Sequence, residues 1–243
     1  MDKEPEKIAS LIKSLNHPDK KVIRKAVDAL ISIAARMPLL ADKLNELLND
    51  TPAEKRWPIA YVLAHISCAS LSSLKILTET LGNSDPDIRW AVALLLVRLA
   101  KQSNPDVAAH LVDLLKSGRP TQRRMAVYCL RDIGAQDTSS RQALLDALYD
   151  PDPLVRVAAV TSLKARPEIG ASALDHLLRF VLADPDSRVR ASAALALAHL
   201  GAPTDAVSRA LKDASESADR RLSKAARAAL ALLEKKGPAC SAE

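Results

Sequence analysis

Leucine returns to the same place in this chain every 33 or 34 residues. One column reads Leu11, Leu44, Leu77, Leu111, Leu144, Leu178 and Leu211. A second, four residues on, reads Leu15, Leu48, Leu81, Leu115, Leu148 and Leu182, then Ser215. A third closes each unit: Leu30, Leu63, Leu96, Leu130, Leu163, Leu197 and Leu230. Between them runs an arginine column, Arg56, Arg89, Arg123, Arg156 and Arg190, with Ile23 before it and Ser223 after it. A fixed period of this length means a stack of similar supersecondary units.

Within a unit the apolar spacing is helical and is broken once. In the fifth, SSRQALLDALYD carries Leu144, Leu145 and Leu148 on one helix face. The stretch DPDPLV then stops that helix, since proline cannot continue it, and Asp152 is placed to cap the next. That next helix carries Val155, Ala159 and Leu163 at i, i+4 and i+8. Each unit therefore predicts a short helix A, a tight turn and a helix B. Three residues past the arginine column the chain holds Ala26, Ile59, Val92, Ala126, Ala159, Ala193 and Ala226, small or β-branched residues that let neighbouring B helices approach.

The D-P-D-x-x-V-R-x-x-A run of Asp184–Ala193, echoed at Asp150–Ala159 and Asp85–Val92, resembles the HEAT-like repeats of the phycobilin-lyase type, over roughly residues 5–233. The resemblance implies an all-α fold: a right-handed α-solenoid of about seven helix pairs, A helices convex and B helices concave. The units are expected at about 5–36, 38–67, 70–102, 105–136, 138–167, 170–202 and 204–234, one repeat domain over 1–236 with a flexible tail at 237–243. Ankyrin and tetratricopeptide repeats share the period, but their TPLH and W-x-x-L-G-x-x-Y signatures are missing. Some units depart from the pattern. TPAEKRWPIA in the second has no DPD, SGRPTQRRMA in the fourth is basic, and Arg166–Pro167 should end the fifth B helix early.

Composition narrows the chemistry. Hydrophobic residues make up 48% and aromatics 2%, so Leu, Ala, Val and Ile fill the core. A net charge of +6 suits an acidic partner without by itself implying nucleic acid. Cys68, Cys129 and Cys240 form no CxxC pair. No apolar signal core and no run long enough to span a bilayer are visible, so a cytoplasmic, non-membrane, monomeric protein is expected.

The arginine column is read as structural. In the family it resembles, this arginine stacks along the solenoid and meets turn aspartates of a neighbouring layer. Here Asp19, Asp85, Asp152, Asp186 and Asp219 form one aspartate column, and Asp50, Asp150 and Asp184 another. Counting from the arginine, positions +1, +5 and +8 lie on a different face of helix B from the core positions. Position +1 holds Arg24, Trp57, Trp90 and Arg124, position +5 holds Tyr61 and Tyr128, and position +8 holds Arg131. Four of the six aromatics thus fall in three consecutive units, beside Arg24, Arg98, Arg124 and Arg131. Aromatics rimmed by arginine are the composition of a binding hot spot.

The five histidines share no column and none precedes Glu, so the His-Glu pairs of HEAT-like metal hydroxylases are absent and neither metal nor cofactor is expected. Nucleotide-binding and hydrolase motifs are missing, and Asp28 and Asp132 read as solvated charges. The expected function is a non-enzymatic scaffold that binds a protein or peptide, of acidic character, on its concave face. Two alternatives stand beside it: a nucleic-acid binder with the architecture of the alkylpurine DNA glycosylases, and a chromophore-lyase-like protein.

Overall fold

A computed structural model describes residues 4–34, 36–37, 39–66, 70–102, 106–134, 137–165, 173–200 and 204–236 of the chain. Arg166, Pro167, Cys68, Cys240 and the 237–243 tail lie outside the described residues.

Among the described residues every regular element is helical, and the α-helices alternate A and B members, B the longer except in the second repeat, where A has 12 residues and B has 10. The A helices are α1 (Glu4–Ser14), α3 (Leu39–Asp50), α5 (Leu71–Thr80), α7 (Asp106–Ser117), α9 (Thr138–Asp146), α11 (Leu174–Ala183) and α13 (Asp205–Ser215). The B helices are α2 (Lys20–Ala34), α4 (Trp57–Ile66), α6 (Pro86–Lys101), α8 (Pro120–Ile133), α10 (Pro153–Lys164), α12 (Ser187–Leu200) and α14 (Arg220–Lys236). Short 3₁₀ turns at Ala53–Lys55 and Ala147–Tyr149 complete two of the linkers.

The chain forms two compact units, Met1–His110 and Leu111–Glu243, the division falling inside α7. In unit 1 the B helices pack in the order α2, α4, α6, and in unit 2 in the order α8, α10, α12, α14. The small-residue column makes this packing possible: Ala26, Ile59, Val92, Ala126, Ala159, Ala193 and Ala226 are all at most 1% exposed. The closing leucines Leu30, Leu63, Leu96, Leu130, Leu163 and Leu197 are buried beside them.

A two-step relay of side-chain caps builds the turn between A and B. The residue six before the arginine column accepts the backbone N–H two residues on: His17 from Asp19, Asn83 from Asp85, Asp150 from Asp152, Asp184 from Asp186, Ser217 from Asp219. The aspartate at that second position then caps helix B by accepting from Lys21, Asp87, Leu154, Arg188 and Arg221 respectively. His, Asn, Asp and Ser are interchangeable here because each offers one acceptor at short reach. In the fourth unit a glycine takes over part of the turn. A Cβ on Gly118 would lie 2.5 Å from the Leu114 carbonyl oxygen, to which the Gly118 N–H donates.

Candidate partner-binding groove

Three B helices of unit 1 enclose a groove of about 660 Å³. α2 contributes Ile23, Arg24, Val27 and Asp28, α4 contributes Trp57 and Tyr61, and α6 contributes Ile88, Trp90, Ala91 and Leu94. Both tryptophans of the chain therefore line one surface depression. Trp90 is 44% exposed and Leu94, one turn on, 66%, whereas Trp57 and Tyr61 are half-buried. Exposed rings and leucines grouped in a concavity differ from single apolar residues on a surface, which need no explanation.

The electrostatics of the groove centre on Tyr61. Burial lifts its phenol above the usual value, Arg98 and Arg24 pull it back, and Asp28 pushes it up. Two cations and one acid thus act on the phenol. The His65 ring lies 4.6 Å from the Tyr61 ring, tilted by 37°, with its Nδ1 2.9 Å from the Tyr61 carbonyl oxygen. Burial lowers the His65 pKa, aided by Arg98, against the hydrogen bond to that carbonyl and the charge of Asp28. Arg24, Lys21 and Arg98 are exposed and form no ion pair among the described residues.

One end of the groove is closed by a strap. The Lys20 ammonium, at the start of α2, lies 3.0 Å from the Asp85 carboxylate and 2.5 Å from that of Asp87, at the start of α6. These residues belong to the first and third repeats. Helices two layers apart would stand roughly 16–20 Å apart at ordinary packing distance, beyond the joint reach of a lysine and an aspartate. The B-helix N-termini therefore converge over α4, whose own turn, TPAEKR, offers no aspartate to intervene. The pairing raises the Lys20 pKa and lowers that of Asp85.

The other expected patch residues fall in unit 2. Tyr128 is half-buried, and the Arg131 guanidinium sits 5.2 Å from its ring centroid. Arg131 also pairs with Asp132 at 2.7 Å, so its charge is already met by its neighbour in sequence. Arg124 is half-buried and makes no ion pair among the described residues.

The arginine column behaves differently in the two units. In unit 2, Arg123 grips Asp150 with Nε and Nη2, both at 2.7 Å, and Arg156 grips Asp184 likewise at 2.9 Å. Arg190 reaches Asp219 at 2.7 Å. Each also donates to a carbonyl of its own turn: Gly118, Asp150 and Asp184 respectively. In unit 1, among the described residues, Arg56 donates only to the Thr51 and Asn49 carbonyls, and Arg89 to those of Asn83 and Ser84. The Arg89 Nε–H is buried and meets no acceptor among the described residues.

Sequence reasoning missed the strap and the aliphatic lining from Ile23, Val27 and Ile88. Ile88 sits just before the arginine column, a position the column analysis did not follow. It also missed a ring cluster in unit 2, where the 58%-exposed Tyr149 meets His176 edge-on at 5.5 Å, hydrogen-bonds its Nδ1, and lies 5.5 Å from Phe180. A period-based search finds columns; a contact between the turn that follows one A helix and the A helix of the next repeat leaves no such signal.

Paired helices repeated along the chain, with a buried small-residue column between B helices, define an α-solenoid class of helical repeat protein. HEAT repeats match at residues 41–131, 111–198 and 141–231, a continuous span over most of the sequence. The chain belongs to the HEAT-repeat family. The archaeal HEAT-like repeats protein from Thermococcus onnurineus NA1 shares the fold with a TM-score of 0.51 and 13% identity, over 94% of this chain and 97% of that one. Human deoxyhypusine hydroxylase, in complex with glycerol, aligns with a TM-score of 0.44 and 19% identity, over 94% and 84%. A designed armadillo repeat protein in complex with the peptide (KR)4 aligns with a TM-score of 0.45 and 19% identity, over 93% and 99%. No curated protein matches the sequence.

Proposed function

We propose that this HEAT-repeat protein is a non-enzymatic scaffold whose groove in unit 1 binds a segment of a partner protein carrying a large apolar side chain next to an acidic one. The observation that carries the reading is the placement of Trp57, Tyr61, Trp90 and Leu94 in one depression while Trp90 and Leu94 stay substantially exposed. The core columns are already filled by aliphatic residues, so packing does not require rings there. Arg24 and Lys21 in the lining, and Arg98, whose charge acts on Tyr61, lack carboxylate partners among the described residues and would receive an acidic side chain. Arg124, Tyr128 and Arg131 stay candidates for a second contact region, with Arg124 the cation that makes no ion pair among the described residues.

The test is selection of peptides from a displayed random library against the full chain, followed by affinity measurements. The selected peptides should share an acidic residue beside Leu, Phe or Trp. Trp57→Ala with Trp90→Ala should weaken their binding by thirtyfold or more, since hot-spot aromatics commonly contribute ~2 kcal/mol or more on truncation. Leu154→Ala, exposed in unit 2, should leave binding unchanged. Peptides that bind the double variant as well as the parent chain would refute the groove.

A further inference from the structure

The last repeat departs from the others in a way the groove does not explain. Its arginine-column position is Ser223, whose hydroxyl donates to the Ser215 carbonyl at 2.7 Å and so takes over the turn contact that arginine makes elsewhere. The cations move outward instead. Arg220, Lys224 and Arg227 are exposed and, with Ser223, line a concavity of about 460 Å³ on the first two turns of α14. Position +4, a buried Val27, Ala60, Ala93, Val127, Val160 or Ala194 in the other repeats, is Arg227 here. One edge is anchored, the Arg227 Nη2 reaching the Ser215 carbonyl at 3.4 Å.

This arrangement is electrostatically unfavourable for the free chain. The three cations sit at i, i+4 and i+7, where like charges repel. They also occupy the positive end of the helix dipole, which favours anions. None forms an ion pair among the described residues, and Asp219, the N-cap, is engaged by Arg190. A polar end cap needs no such imbalance. At the other end of the chain, α1 exposes Glu4, Glu6, Lys7 and Lys13, which cancel.

We infer that the first two turns of α14 are a docking site for the phosphate backbone of a nucleic-acid strand, separate from the groove of unit 1. The seven helical steps from Arg220 to Arg227 rise about 10 Å, and a strand places one charge per about 3.4 Å of axis, so two or three phosphates fall within reach of the three cations. A membrane surface fits less well, because the large exposed apolar residues, Leu39, Leu71, Trp90, Leu94, Tyr149 and Leu154, all lie elsewhere and none is available here to insert.

The experiment is fluorescence anisotropy of a labelled 20-nucleotide single strand titrated with the full chain, with anionic phospholipid vesicles and inorganic phosphate as separate arms. Three phosphate contacts predict a slope of log affinity against log salt of about −2, or roughly a twentyfold loss between 50 and 200 mM salt. Arg220→Gln with Lys224→Gln and Arg227→Gln should lose at least tenfold in affinity, flatten the slope and keep the parent melting temperature. Arg227→Gln alone should lose about threefold, and Trp57→Ala with Trp90→Ala should bind the strand like the parent. No strand binding at 50 mM salt, an unaltered triple variant, or binding to vesicles but not to the strand would each overturn the inference. Competition by millimolar phosphate alone, with no strand binding, would do so too, leaving a free-anion site.

Discussion

In unit 2, Arg123, Arg156 and Arg190 each reach an aspartate one repeat further on; in unit 1, Arg56 and Arg89 stop at the carbonyls of their own turn. At four of the five arginines the sequence accounts for the difference, Arg190 instead reaching Asp219, two residues beyond Ser217. The position that supplies Asp150 and Asp184 holds Asn83 in the repeat after Arg56 and Ser117 in the repeat after Arg89. Unit 2 is stapled repeat to repeat by two desolvated, bidentate ion pairs, Arg123–Asp150 and Arg156–Asp184, and by the single, partly exposed contact of Arg190 with Asp219. Unit 1 instead has one exposed lysine strap across two repeats, and its B helices carry rings that the core does not need. A regular ladder and a regular packing surface occur together, and the candidate site lies where the ladder lapses.

The contrast can be broken first at its strongest point. Arg156→Ala strands Asp184, whose side chain is only 3% exposed, so it should destabilise the protein by about 3 kcal/mol in denaturant unfolding. Arg89→Ala removes hydrogen bonds to two carbonyls and leaves no buried carboxylate behind, so its cost should be nearer 1 kcal/mol. Equal losses from the two variants would mean that the carboxylate partner is not what distinguishes the units.

Acid sharpens the same comparison. The Arg188 guanidinium holds Asp186 well below the usual carboxylate range, and Arg190 does the same for Asp219, with backbone N–H groups assisting both. A carboxylate whose pKa is depressed on folding contributes stability above its unfolded value of about 3.9, and that contribution fades as pH falls through the folded value. Stability should therefore hold from pH 7 to about 5 and decline below about pH 4. Arg190→Ala should make that decline shallower. A stability maximum near pH 3 would contradict the assignment.

Cys129 offers a smaller, local readout. Burial pushes its thiol up to about 12, and the side chain is 1% exposed. With Cys68 and Cys240 replaced by Ser, a thiol reagent should label Cys129 only as fast as unit 2 opens. Arg156→Ala should speed labelling, whereas Lys20→Met, which cuts the solvent-exposed strap of unit 1, should leave it unchanged and alter melting least of all the variants.

Much of this was legible in the chain. The helix pairs, the buried small column and the Asp caps follow from spacing and from what proline and aspartate do at helix starts. The placement of both tryptophans on the non-core face of helix B was also readable, because helical periodicity assigns a face to every position. For Arg56, Arg89, Arg123 and Arg156 the pairing or its lapse could have been read by setting each arginine beside the residue six before the next repeat's column position, a comparison between two columns rather than within one. Arg190 departs from that rule, Ser217 standing there and Asp219 taking its place. The Lys20 strap could not. It depends on how far the B helices converge over α4, a tertiary quantity that no local pattern encodes. Nor could the commitment of Arg131 to Asp132, since adjacent residues on a helix point apart unless both side chains bend back.

The chain has two tryptophans, and both line the groove, so its indole emission reports on that site alone. The most direct measurement is the emission spectrum of the full chain during titration with a tryptophan-free peptide selected for binding. With Trp90 44% exposed, the free protein should emit toward the red, and saturation should shift emission to the blue with a midpoint equal to the Kd found calorimetrically. Saturable binding with no change in emission would place the partner elsewhere and contradict the account.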